Sequence, residues 1–123
     1  MTKFLLTIYN NTDDIQKWME MTPELQGAMM QEVAAKYIAY TQRLVDEGRY
    51  IASNALGHEG KVLHGKDDIE VTDGPYIFAK EMVGGFFYFT AENLEEATAI
   101  AKDCPALHFG ARVEIREEMK YPG

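Results

Sequence analysis

Gly84-Gly85-Phe86-Phe87-Tyr88-Phe89-Thr90 is the stretch on which the fold turns. Its aromatic residues favour a pleated strand, and both parities are apolar: Phe87 and Phe89 point one way, Phe86 and Tyr88 the other. A strand that is apolar on both faces belongs inside a sheet with cover above and below. The two glycines before it mark a bulge or a close backbone approach. They are no phosphate cradle, because a strand and not a helix N-terminus follows them.

Working outward, Asn93 opens a helix, with Glu96 three residues on completing a capping-box pattern. Leu94, Ala97, Ile100, Ala101 and Cys104 form its apolar stripe, and Pro105 ends it. Ala111, Val113 and Ile115 then alternate with Arg112, Glu114 and Arg116, a strand with one dry and one charged face. At the other end of the chain, Lys3 to Tyr9 alternates Phe4, Leu6 and Ile8 against Leu5, Thr7 and Tyr9. Asn10 to Asp14 reads as a turn into a short helix bearing Ile15, Trp18 and Met19.

The spacing predicts a long helix over roughly 23–46. Thr22 caps it, Pro23 takes its first position, and Gly48 offers a left-handed stop. Leu25, Met29, Val33, Tyr37, Tyr40 and Leu44 make its stripe. Arg49 to Ala55 reads as a strand that returns through Gly57-His58-Glu59-Gly60 as a hairpin with Lys61 to His64. Lys66-Asp67-Asp68 is a polar turn, Ile69 to Thr72 is extended, and Asp73-Gly74-Pro75 interrupts the pattern.

This order predicts one α+β domain over 1–123: a ferredoxin-like antiparallel sheet with two helices on one face. Two helices cover only one face, and the doubly apolar strands need another cover. A second copy of the same sheet supplies it, so the expectation is a two-fold homodimer. No internal repeat or linker points to anything larger.

Composition bounds the function. Twelve basic against twenty acidic residues leave a net charge of −8, which repels phosphate backbones and argues against a nucleic-acid surface. No apolar run is long enough for a membrane span, and the N-terminus lacks a signal-peptide layout. The single Cys104 cannot form an intrachain disulfide, which fits the reducing cytoplasm, where the Asn10-Asn11-Thr12 sequon would be idle. Cys104 falls in an apolar stripe at a helix C-terminus, where the dipole disfavours thiolate, so it reads as core. The seven methionines read as gap-fillers around the long helix.

Val71-Thr72-Asp73-Gly74-Pro75-Tyr76, followed by Lys80-Glu81 and Gly84-Gly85-Phe86, resembles the YCII-related family in its DGPF-type branch. The resemblance runs nearly the length of the chain. It takes in Cys104-Pro105, Gly110 and Val113-Glu114-Ile115-Arg116. It implies a dimeric α/β-barrel built from ferredoxin-like halves, no cofactor, and a pocket with an acidic residue, by analogy with small isomerases and dehalogenases of that barrel type. It also implies a sigma factor as a partner by association. The chain departs from the branch at Tyr76 (usually Phe), at Ile77-Phe78 and at Glu117 (usually Pro), and its long helix carries no His.

Asp73 is the leading acid/base candidate: beside aromatic rings a carboxylate loses hydration and its pKa rises. The competing reading is a turn residue accepting backbone N–H bonds. Tyr76 could orient a ligand, Lys80 could hold an anion, and Arg112 and Arg116 could clamp a carboxylate. Each also has a plain reading as a core ring or a solvated charge. His58, His64 and His108 lack metal-ligand spacing, so no metal site is expected; His108 is the histidine to set against Asp73. Three readings stay open: an acid/base enzyme on a small metabolite, a small-molecule-binding or regulatory homodimer, and a purely structural dimer.

Overall fold

The structure is a computed structural model that describes residues 1–74 and 80–121. The chain runs β1 (Thr2–Asn11), α1 (Thr12–Met19), α2 (Pro23–Asp46), β2 (Tyr50–Ala55), β3 (Gly60–His64), β4 (Glu70–Gly74), β5 (Glu81–Ala91), α3 (Leu94–Lys102) and β6 (Arg112–Glu117). A short 3-10 turn, Pro105–Phe109, joins α3 to β6. β2, β5, β1 and β6 lie in that order in one antiparallel sheet. Leaving aside α1 and the β3–β4 hairpin, this is the predicted ferredoxin-like α+β arrangement. β5 is a central strand, as its two apolar parities required.

The core fills one side of the sheet. Phe4, Leu6 and Ile8 of β1 and Phe87, Phe89 and Ala91 of β5 meet Tyr40 and Leu44 of α2 and Ala97, Ile100 and Ala101 of α3. The Tyr40 ring stands edge-on to Phe87, with centroids 5.1 Å apart. Its hydroxyl donates to the Ile100 carbonyl at 2.7 Å, so the one polar atom this ring brings inside is satisfied.

Local chemistry sets the helix ends. Thr22 Oγ1 accepts from the Leu25 N–H, with Pro23 in the first turn. At the C-terminus Gly48 takes φ 72°; its N–H bonds the Val45 carbonyl and the Arg49 N–H bonds that of Leu44, a Schellman ending. Asn93 caps α3 by accepting from Glu96 N–H. The reciprocal arm of the predicted capping box differs, since Glu96 Oε1 accepts from the N–H of Glu92 rather than of Asn93.

Three sequence expectations are corrected. β2 does not fold back on β3: it pairs with β5, from Tyr50 opposite Phe89 to Ala55 opposite Gly85. The hairpin is instead β3–β4, with Lys61 opposite Asp73 and Leu63 opposite Val71. Its turn depends on Gly65, at φ 128°, where a Cβ would stand 2.0 Å from the Asp68 carbonyl oxygen. The glycines at 57 and 60 bracket a crossing between two sheets, and local turn propensity does not say which strand comes next. Asp73 and Gly74 are strand residues, not a turn, with Gly74 opposite Gly60. Asn10 and Asn11 likewise end β1, and Asn11 caps α1 by accepting from the N–H groups of Asp13 and Asp14.

The predicted bulge stands at Gly84. Ile8 is opposite Gly85 and Tyr9 opposite Val83, so Gly84 is the extra residue. Both glycines are places of close approach. A Cβ on Gly84 would lie 1.9 Å from Asn10 Nδ2, and one on Gly85 2.6 Å from the Asn54 carbonyl oxygen.

Candidate functional site

The sheet face turned away from the core carries the chemistry. In β1 it presents Lys3, Leu5, Thr7 and Tyr9, the parity opposite to Phe4, Leu6 and Ile8. β6 adds Arg112, Glu114 and Arg116, opposite Tyr9, Thr7 and Leu5 respectively. β5 adds Phe86 and Tyr88 and, beyond the bulge, Val83 and Glu81. Leu5, at the centre of the sheet, is 41% exposed.

At one end of this face Arg112, Glu81 and Tyr9 form a compact unit. The Arg112 guanidinium donates from Nε to both Glu81 oxygens at 3.2 and 3.0 Å, and from the terminal Nη2 to Oε1 at 3.0 Å. It also lies over the Tyr9 ring, 4.3 Å from the centroid, a cation–π stack. The Arg112 hydrogen bonds hold the Glu81 carboxyl below its ordinary pKa, and Glu81 in turn raises that of Arg112. At the far side of the face the Tyr88 hydroxyl donates to Glu118. That bond raises the phenol pKa, desolvation adding to it.

The residues singled out from sequence are divided between separate places. Arg112 is on the open face. Lys80 is exposed at the same end of the sheet, where its carbonyl accepts from Thr12 N–H at 2.9 Å and from Thr12 Oγ1 at 3.1 Å. Asp73 is on the hairpin, its carboxylate 88% exposed and paired with the Lys61 ammonium across the ladder. Among the described residues its hydrogen-bond partner is a lysine, and Tyr76 lies outside them. His108 lies in the helix layer, in a shallow groove of about 410 Å³ lined also by Lys36, Tyr40, Arg43 and Asp103. Tyr76 and Pro75 lie outside the described residues. Gly74, Gly84 and Gly85 are backbone devices: a Cβ at Gly74 would press on Val62 Cγ2 at 2.9 Å.

Glu81, Tyr9 and Glu114 were missed as site residues. The alternation of Arg112, Glu114 and Arg116 with apolar neighbours already placed three charges on one face. The Arg112–Glu81 pair had no sequence signal, because 31 positions separate the two and only the β1–β5 and β1–β6 registers bring them together.

Cys104 is fully buried, and desolvation pushes its thiol above the usual range. Among the described residues no three His, Cys, Asp or Glu side chains gather as metal ligands. Among the same residues no helix is long and apolar enough to cross a membrane.

The YCII-related domain matches residues 2–119, and the chain belongs to that family. No curated protein matches it.

Proposed function

We propose that this YCII-related protein is a small-molecule-binding homodimer whose two open sheet faces meet and enclose the ligand site. One observation carries the reading: the face leaves Leu5 41% exposed and Phe86 and Tyr88 part-exposed, and it is electrically balanced. Lys3, Arg112 and Arg116 stand there against Glu81, Glu114 and Glu118, whereas the whole chain carries −8. The excess acid lies elsewhere, for example Asp13 and Asp14 on α1, Glu24 and Glu32 on α2, and Glu95 on α3. Two copies of an acidic chain repel each other. The balanced face is where they can approach, and approach there removes aromatic and aliphatic surface from water.

The Arg112–Glu81–Tyr9 unit supports the ligand half of the reading. A guanidinium fork matches a carboxylate, and an incoming carboxylate would compete with Glu81 for it, over an aromatic platform. Lys80, at the same end, adds positive charge. The chemistry fits a small aromatic or lactone-like carboxylate.

Sedimentation together with a thermal-shift screen of aromatic and lactone carboxylates tests the proposal. A species of twice 13.9 kDa is expected, with hits that raise the melting temperature by several degrees at saturating ligand. Those hits should vanish in Arg112→Met. A monomer throughout the micromolar range would overturn the dimer, and hits indifferent to Arg112→Met would overturn the site.

A further inference from the structure

We infer that the β3–β4 hairpin is a clasping arm whose apolar side packs on the second copy of this chain, at the rim of the open face; this rests on the homodimer reading above. The hairpin is a two-stranded sheet of its own. Isolated two-stranded hairpins are marginal in water and need a surface to lie on. Yet on one side Leu63 and Val71, directly opposed, are 63% and 58% exposed, and Ile69, just before β4, is 54% exposed. The other side holds Val62, which is half-buried and packs close to Gly74. Val62 is thus part-covered within the chain, while Leu63 and Val71 leave apolar surface exposed on the other side.

Position and area favour a second copy as the occupant. β2 ends at Ala55 opposite Gly85, and β5 starts at Glu81 opposite Asn11. The arm therefore leaves and rejoins the sheet at the end carrying Tyr9, Val83 and Arg112, continuous with the open face. Four strands about 4.8 Å apart and about 20 Å long give that face roughly 400 Å² in projection. A standard interface hides about 800 Å² per partner. Side-chain relief narrows the gap, and an arm from each copy, applied twice by two-fold symmetry, closes it. On this inference the Lys61–Asp73 pair, which shares the side of Leu63 and Val71, borders the clasp. Asp73 then belongs to association rather than to proton transfer.

Sedimentation equilibrium on the full chain would compare wild type, Leu63→Asp/Val71→Asp, His64→Asp and Leu5→Asp, with hydrogen exchange followed over 61–64 and 70–74. The arm double variant is expected to weaken dimerisation at least tenfold, while His64→Asp, on the arm's other side, leaves it unchanged. Arm amides should exchange slowly in the wild-type dimer and rapidly in Leu5→Asp. A dimer disrupted by Leu5→Asp but indifferent to the arm double variant, or arm amides that exchange alike in both proteins, would overturn the clasp alone. A monomeric wild type would overturn the sheet-face dimer and the clasp with it.

Discussion

The carboxamide of Asn10 occupies the space into which any side chain on Gly84 would project, with Nδ2 1.9 Å from where a Cβ would stand. Next to it, a Cβ on Gly85 would stand 2.6 Å from the backbone carbonyl oxygen of Asn54. The two glycines therefore resist substitution for different reasons. Asn10 can rotate away from residue 84, but the β2 backbone cannot leave residue 85 without breaking the ladder. Gly85→Ala is expected to cost about 1–3 kcal/mol by overpacking, and Gly84→Ala clearly less. Urea melts of the two variants make the comparison, and equal losses would contradict the assignment of rigid and soft neighbours.

Stability should fall on the acid side through a defined set of carboxylates. Hydrogen bonds from Arg43 and then Arg49 hold Glu47 low. The Glu92 N–H and then Arg49 hold Glu96 low, and Arg112 holds Glu81 low. A carboxyl whose folded pKa lies below its unfolded value stabilises fully above the unfolded value of about 4.3 and loses that contribution as pH falls through the folded one. Arg49→Met removes the cation shared by Glu47 and Glu96. Its denaturation midpoint should therefore drop less than that of wild type between pH 5 and pH 3.

Tyr40→Phe tests the buried hydroxyl. The Tyr40 O–H bond to Ile100 is the polar link between α2 and α3 inside the core, and its loss should cost about 1 kcal/mol. Burial raises the phenol pKa of Tyr40, and it pushes Tyr37 up to about 12. Raised phenols stabilise below their unfolded value of about 10 and lose that effect as pH climbs toward the folded one. Absorbance titration of the folded protein should accordingly show these two rings ionising only well above the free phenol value of about 10.

Cys104 should be silent in the native state. With a fully buried sulfur and a raised thiol pKa, its alkylation at pH 8 should follow opening of the fold. Reaction with an aromatic disulfide should speed up with urea in step with unfolding. Rapid labelling in buffer alone would contradict the burial.

Asp73→Asn is expected to change monomer stability by less than about 0.5 kcal/mol, because the Lys61–Asp73 pair is exposed and solvent screens it. A large destabilisation in a chemical melt at concentrations low enough to keep the chain monomeric would show that the carboxylate has a structural partner besides Lys61.

Most of the architecture was legible in the residues themselves because it rests on local physics. The Thr22-Pro23 start, the Gly48 stop, the Asn93 cap and the alternation in β1, β5 and β6 each record a requirement within a few positions of the chain. The doubly apolar Phe86-Phe87-Tyr88-Phe89 run placed β5 at the centre, and its leading glycines announced the bulge. Tertiary structure alone decided which strands pair. β2 and β3 are neighbours in sequence yet lie in different sheets, since pairing depends on the register of distant backbones that no local pattern encodes. The same reason separates Asp73 from Arg112: one rides a hairpin beside Lys61, and the other meets Glu81 and Tyr9 across three strands. Residue type and spacing set what each side chain can do. Which charge each one meets was settled when the sheet closed and set its neighbours.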